Sequence, residues 1–260
     1  MTLVATDAVV LHSADYLESS RIFRVATREA GVQSVLARGA RASRKRFSSA
    51  LGLFAQGQAQ IRMKPGRDLH TLDRFDVTRI RPGLAADLGR FTAASALAEC
   101  VLRIVHEEAA PRVYDGLTRS LDIIADAPAD STITAALASI WQLVGEVGFT
   151  PAMDTCAECH SAIAPDADAM FSHFAGGVLC ARCGARAPGG RRLPADARHA
   201  IQGWLTGSDA AAPEPLAVQS AKAHQRLLRE FIAQHIPDSR TMKAYTCWET
   251  GVLVTTVAPL

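Results

Sequence analysis

Two cysteine pairs constrain this chain more than any other feature. Cys156 and Cys159 form CAEC, Cys180 and Cys183 form CARC, and 20 residues separate the pairs. A CxxC sets two sulfurs on one tight turn, so two such turns can present four thiolates to a single ion, and Zn2+ accepts four sulfurs tetrahedrally at about 2.3 Å. Two other chemistries use the same residues: a redox dithiol, which needs only one CxxC, and an Fe–S cluster, for which four cysteines also serve. Four thiolates leave no open position for water or substrate, so a zinc site here is expected to be structural, not catalytic. Between the pairs, residues 170–179 (MFSHFAGGVL) are expected to form a short hairpin turned by Gly176 and Gly177, folding the second pair back onto the first. His160 and His173 lie close enough in sequence to replace a cysteine ligand, but a histidine beside such a knuckle more often stays outside the metal shell.

The remaining two cysteines carry less. Cys100 falls on an apolar stretch and is expected to pack as a small hydrophobe, while Cys247 sits beside Trp248 without a readable pattern. Six cysteines are compatible with three disulfides in an exported protein, but CxxC pairs point to metal in a reducing compartment. The opening MTLVATDAVVLHSADYLESSR lacks a basic region followed by an apolar one, so no secretory signal is expected. The longest uncharged amphipathic run, residues 131–145, falls short of the ~20 apolar residues that cross a bilayer. A cytoplasmic protein is expected. Its 260 residues are enough for one large or two ordinary domains, and 48% hydrophobic with 21% charged residues excludes collagen, coiled coil and wholesale disorder.

Charge is unevenly spread. Through Pro82 there are 14 Lys plus Arg against 7 Asp plus Glu, leaving 14 against 19 for the rest. The basic front suits a polyanion partner, or a solvated surface. That same region reads as five short strands: residues 8–12 (AVVLH), 22–27 (IFRVAT), 32–38 (VQSVLAR), 52–63 and 69–80. Gly31 can supply the positive φ of a hairpin turn after residues 28–30, and LysProGlyArg at 64–67 signals a β-turn. Five strands in about 80 residues suit an OB-fold barrel, which removes its sheet edges by closure and binds oligonucleotides on one face.

After Pro82 the period lengthens towards 3.6. Phe91, Ala94, Leu97, Ala98, Val101, Leu102 and Val105 share one helical stripe, and further helices are expected at 111–126, 131–147 and 215–235, the last preceded by a loop at 207–215.

The other notable run is RGARASRKRF at 38–47, a loop leaving the third strand. Arg38, Arg41, Arg44, Lys45 and Arg46 are candidate phosphate contacts, each displacing condensed counterions and making DNA binding salt-sensitive. Phe47 could stack on a base, but is expected to enter the barrel core. No P-loop, GxSxG, HExxH or helix-opening GxGxxG is present, and Glu99, Glu107 and Glu108 read as solvated charges. A binding protein is expected, not an enzyme. The competing classes are a zinc-ribbon scaffold that binds only protein and a nucleic-acid-processing enzyme such as a nuclease or deaminase.

The order of basic barrel, helices and paired CxxC resembles the RecO family of bacterial recombination mediators. The resemblance spans the chain and rests on AVVLHSADYLESSRIF at 8–23, with its Tyr-x-Glu-x-Ser turn, VLARGARASRKRF at 35–47, DLHTL at 68–72, GFTPAMDTCAECH at 148–160 and FSHFAGGVLCARC at 171–183. It implies an α+β chain: an OB-fold β-barrel over residues 1–82, then an α-helical domain over 83–260 with an inserted zinc-ribbon-like element at 150–190. It further implies a non-enzymatic role in DNA repair and recombination: binding single- and double-stranded DNA, annealing complementary strands and, with RecR, helping RecA replace single-stranded DNA-binding protein. Arg38, Arg41, Arg44, Lys45 and Arg46 then carry the DNA contacts, and Cys156, Cys159, Cys180 and Cys183 hold structural Zn2+. The expected location is the cytoplasm, at the nucleoid. One departure stands out: after the last helix the family usually has Leu-Lys-Ser, where this chain has Thr241, Met242, Lys243 and Ala244.

Overall fold

The computed structural model describes residues 2–40, 47–48, 50–105, 108–207, 214–236 and 241–251. The chain divides into two compact units, Met1–Asp126 and Ala127–Leu260.

In the first unit, β1 (Thr2–Tyr16), β2 (Ser20–Thr27), β3 (Gly31–Ala37), β4 (Gln56–Met63) and β5 (Leu69–Arg79) close into a barrel in the order β1-β2-β3-β5-β4. Neighbours run antiparallel except β3 and β5, which pair in parallel through Ser34 with Leu69 and Leu36 with Thr71. This is the OB-fold. Alternation of side chains fills the interior: Phe23, Val25, Val35, Ile61, Leu72 and Phe75 form the core, with Phe47 among them at 2% exposure. Phe47 is therefore a core residue, as expected, and bridges Phe75 through its backbone. β1 extends well past AVVLH at both ends because it serves two partners, β4 along Thr2–Val9 and β2 along Ala8–Tyr16, with a bulge between Val10 and His12 that bends it from one to the other. Gly31 adopts φ 65°, and Thr27 Oγ1 stitches its turn by accepting from Ala30 N–H at 3.1 Å and donating to Gly31 O at 2.8 Å.

The first unit also contains α1 (Pro82–Ala86), α2 (Leu88–Ile104) and α3 (Pro111–Asp126). Asp87 caps α2 by accepting from Arg90 N–H at 2.9 Å. Cys100 is fully buried on α2, and its thiol is pushed up by desolvation. α3 buries Val113, Leu117, Leu121 and Ile124, the stripe its sequence predicts. Arg81, between β5 and α1, is buried and ties barrel to helix: its guanidinium donates to Asp122 Oδ1 at 2.6 Å, Gln56 Oε1 at 2.7 Å, Phe54 O at 3.0 Å and Thr118 O at 3.2 Å.

The second unit holds α4 (Thr132–Glu146), β6 (Ala169–Ser172), β7 (Gly177–Leu179), α5 (Ala181–Gly184), β8 (Arg191–Leu193), α6 (Ala195–Thr206), α7 (Val218–His235) and α8 (Lys243–Thr250). A three-stranded sheet in the order β7-β6-β8 joins the helices through tilted ring contacts: Phe171 of β6 lies 6.0 Å from Phe231 of α7, which lies 5.3 Å from Trp141 of α4. Cys247 falls on α8, where Tyr245 and Trp248 are the buried residues. Among the described residues, no helix is long and apolar enough to cross a membrane.

His224 of α7 is buried with its ring edge-on to Trp204 at 5.0 Å, and desolvation lowers its pKa to about 4, Asp196 offsetting this in part. The folded protein thus keeps His224 neutral where the unfolded chain would protonate it near 6.5. Stability from this residue is full above that pH and is lost as pH falls to about 4, by about 3 kcal/mol. Replacing His224 with Gln should flatten the fall in melting temperature between pH 6.5 and 4; parallel profiles for variant and wild type would rule out the titration.

Candidate metal centre and barrel groove

The four cysteines meet in the second unit. Their sulfurs all lie within 4.8 Å of one another, with Cys159 Sγ and Cys180 Sγ 3.7 Å apart. A tetrahedron with 2.3 Å metal–sulfur bonds has edges of about 3.8 Å, so this donor set can hold a metal ion. Backbone hydrogen bonds shape each turn. In the first, His160 N–H donates to Cys156 O at 2.9 Å and Cys156 N–H to Ser161 O at 2.8 Å, with His160 at φ 59°. His160 is exposed and serves as the left-handed corner of this turn. In the second, Gly184 N–H donates to Cys180 O at 2.8 Å, closing the single turn of α5.

The hairpin between the pairs forms, with the two glycines doing different jobs. Gly176, at φ 75°, makes the turn. Gly177 lies in β7, where a Cβ would fall 2.5 Å from Ala152 O and 2.7 Å from Ala152 N, so its bare backbone is what lets residue 152 bridge to it. Ala157 N–H then donates to Val178 O at 2.8 Å, which brings the first turn against the strand that leads into the second.

The sulfurs differ in their hold on protons. Hydrogen bonds from the Ser161 hydroxyl and Ser161 N–H bring Cys159 down to about 5, while desolvation and hydrogen bonding among the other sulfurs push Cys183 up to about 12. His173 does not join the cluster. Its Nε2 meets Glu230 Oε2 at 3.1 Å, and Glu230 also accepts from Arg191 at 2.6 and 2.7 Å and from Arg226 at 3.1 Å, tying β6 and β8 to α7.

On the barrel, Arg38 is exposed just beyond β3 and lines a groove of about 830 Å³ with Leu36, Lys64, Pro65, Gly66, Arg67, Asp68 and Leu69. Arg41, Arg44, Lys45 and Arg46 lie outside the described residues. Lys64 and Arg67 were legible in the sequence only as ends of a turn. Their charge, next to DLHTL, was the available signal.

A closed OB barrel followed by helices that carry a four-cysteine ribbon defines a two-part OB-fold protein. Residues 1–81 match the family model "Recombination protein O N terminal" and residues 85–243 match "Recombination protein O C terminal". The chain belongs to the RecO family of DNA repair proteins. It is 34% identical over 239 residues to the DNA repair protein RecO of Anaeromyxobacter sp. (strain K), covering 91% of this chain and 92% of that one. With the RecO protein of Nocardioides sp. (strain ATCC BAA-499 / JS614) it shares 29% over 249 residues, 94% and 98% of the two chains.

Proposed function

We propose that this protein binds single- and double-stranded DNA, anneals complementary strands without catalysing a chemical step and, with RecR, helps load RecA onto DNA coated by single-stranded DNA-binding protein. The observation that carries this reading is the closed OB barrel from which a cationic segment departs at the end of β3. Barrels of this kind bind oligonucleotides, and phosphate contacts account for most sequence-independent affinity. The family to which the chain belongs supports the repair setting, and the cytoplasmic nucleoid is where such work is done. The metal held by Cys156, Cys159, Cys180 and Cys183 is Zn2+, whose part is to hold the ribbon together.

Replacing Arg44, Lys45 and Arg46 with Ala tests the DNA reading. Each lost phosphate contact flattens the plot of log affinity against log salt by about 0.7 for a single strand, so the triple change is expected to lower the slope by about 2. Folding is expected to survive, which the melting temperature of the triple variant checks. Filter binding at several salt concentrations measures this, and a protein that binds no DNA leaves only the protein-scaffold reading. Annealing should need no ATP; ATP hydrolysis or strand cleavage that follows the protein and vanishes on point mutation would make it an enzyme.

A further inference from the structure

The four sulfurs of the ribbon differ in how far solvent reaches them. Cys156 is fully buried, whereas Cys159, Cys180 and Cys183 are half-buried. Cys159 and Cys180 belong to different turns, yet their sulfurs stand 3.7 Å apart. A disulfide closes at about 2.05 Å, so this pair needs to approach by only about 1.7 Å to be joined.

A cation is placed beside the same sulfurs. Arg182 is exposed in the short helix α5, and its guanidinium hydrogen-bonds to the sulfurs of Cys159 and Cys183. It ligates nothing itself. On the other flank, Ser161 Oγ lies 3.2 Å from Cys159 Sγ. A thiolate that solvent reaches, held next to a fixed cation, is where oxidation of cysteine begins.

We infer that Cys159 and Cys180 form a peroxide-responsive disulfide site, with Arg182 as the cation that receives the departing hydroxide. The inference rests on the zinc reading above and goes beyond it, because the thiolates that close the ribbon then also open it. Cys159 Sγ attacks one oxygen of hydrogen peroxide, the O–O bond breaks, hydroxide leaves and a sulfenic acid remains. Cys180 Sγ attacks the Cys159 sulfur, the S–S bond forms and the second hydroxide leaves. Two electrons pass from the two thiolates to the peroxide, and each hydroxide takes a proton from solvent to become water. Cys156 and Cys183 are then two ligands where four are needed, and they no longer retain the ion. The ribbon's hold on α7 loosens with it: Phe171 packs on Phe231, and His173 and Arg191 both meet Glu230. The barrel belongs to the other compact unit.

The test treats the full zinc-loaded chain with hydrogen peroxide and follows released zinc with a chromogenic chelator against a peroxide-free control. Peptide mass mapping reads the cross-link. One zinc should leave per chain, with Cys159 joined to Cys180, and dithiothreitol with added zinc should restore the metal. Arg182→Gln should carry as much zinc as wild type before oxidation and release it several-fold more slowly; Arg182→Lys should recover most of the rate. Zinc that stays bound at millimolar peroxide, with all four thiols intact, overturns the site and leaves the zinc reading standing. A cross-link inside either CxxC, or sulfinic acid at Cys159 without a cross-link, overturns the assigned pair. Equal rates for Arg182→Gln and wild type overturn the part given to Arg182. Protein that holds no zinc before oxidation overturns the zinc reading and the release together.

Discussion

Protein produced with zinc available should carry one zinc per chain, and Cys156→Ser should cost it both the metal and the folded ribbon. Cys156 is fully buried, and its N–H and C=O both serve the first turn, so the serine hydroxyl would sit where a soft ligand is needed and could not be rescued by water. The element it supports is small. β6, β7 and β8 have four, three and three residues, too little sheet to persist without a staple. Apparent binding energies of structural zinc are about 10–16 kcal/mol at neutral pH, and in such elements that energy is folding energy. Loss of one thiolate should therefore lower zinc retention at least tenfold and open residues 150–193 to protease, while the barrel, in the other compact unit, stays resistant. Metal analysis paired with limited proteolysis measures this. Wild-type protein without zinc, or a zinc-free variant whose ribbon resists protease as the wild type does, would remove the metal from the account of this fold.

The metal-binding pattern was legible because CxxC spacing is local: two residues between thiols leave little freedom in where the sulfurs go. The barrel strands were legible for a similar reason. β4 reads QGQAQIRM, and Gly57, Ala59 and Ile61 are buried while Gln58, Gln60 and Arg62 between and after them are exposed. What pattern could not show is what depends on partners far along the chain. α6 went unread because only Ile201 and Trp204 are large apolar residues on its buried face; the third buried residue is Arg198, whose Nη2 donates to Ala164 O and Pro165 O, both at 2.6 Å. The Glu230 cluster draws on residues 173, 191 and 226, which no window of sequence holds together. The groove beside Arg38 is of the same kind. It exists because β3 and β5 pair in parallel, a crossover that brings residues 34–36 beside 69–71.

Arg81→Ala should be the most damaging single change in the first unit. In sequence Arg81 is one more charge in a basic segment, yet its side chain is 2% exposed and spans three structures. It reaches Asp122 and Thr118 O on α3, Gln56 on β4 and Phe54 O in the chain leading into β4. Burial disfavours its charge and lowers its pKa, an effect that Asp122 opposes, so the pair is tolerable only while both members are present. Truncation to Ala removes the guanidinium donor from Phe54 O and Thr118 O and strips Asp122 of one of two arginines; Arg79, at 3.1 Å and more exposed, remains. Removing one partner of a buried ion pair costs about 3–5 kcal/mol, a large part of the 5–15 kcal/mol that holds a domain folded. Thermal unfolding should show the first unit melting roughly 10 °C or more below wild type, with the second unit and its metal content unchanged. Arg81→Lys should recover only part of the loss, since one ammonium cannot serve acceptors on three sides as a guanidinium does. A melting temperature within a degree or two of wild type for Arg81→Ala would mean that water replaces the guanidinium at little cost, and that apolar contacts alone hold α3 to the barrel.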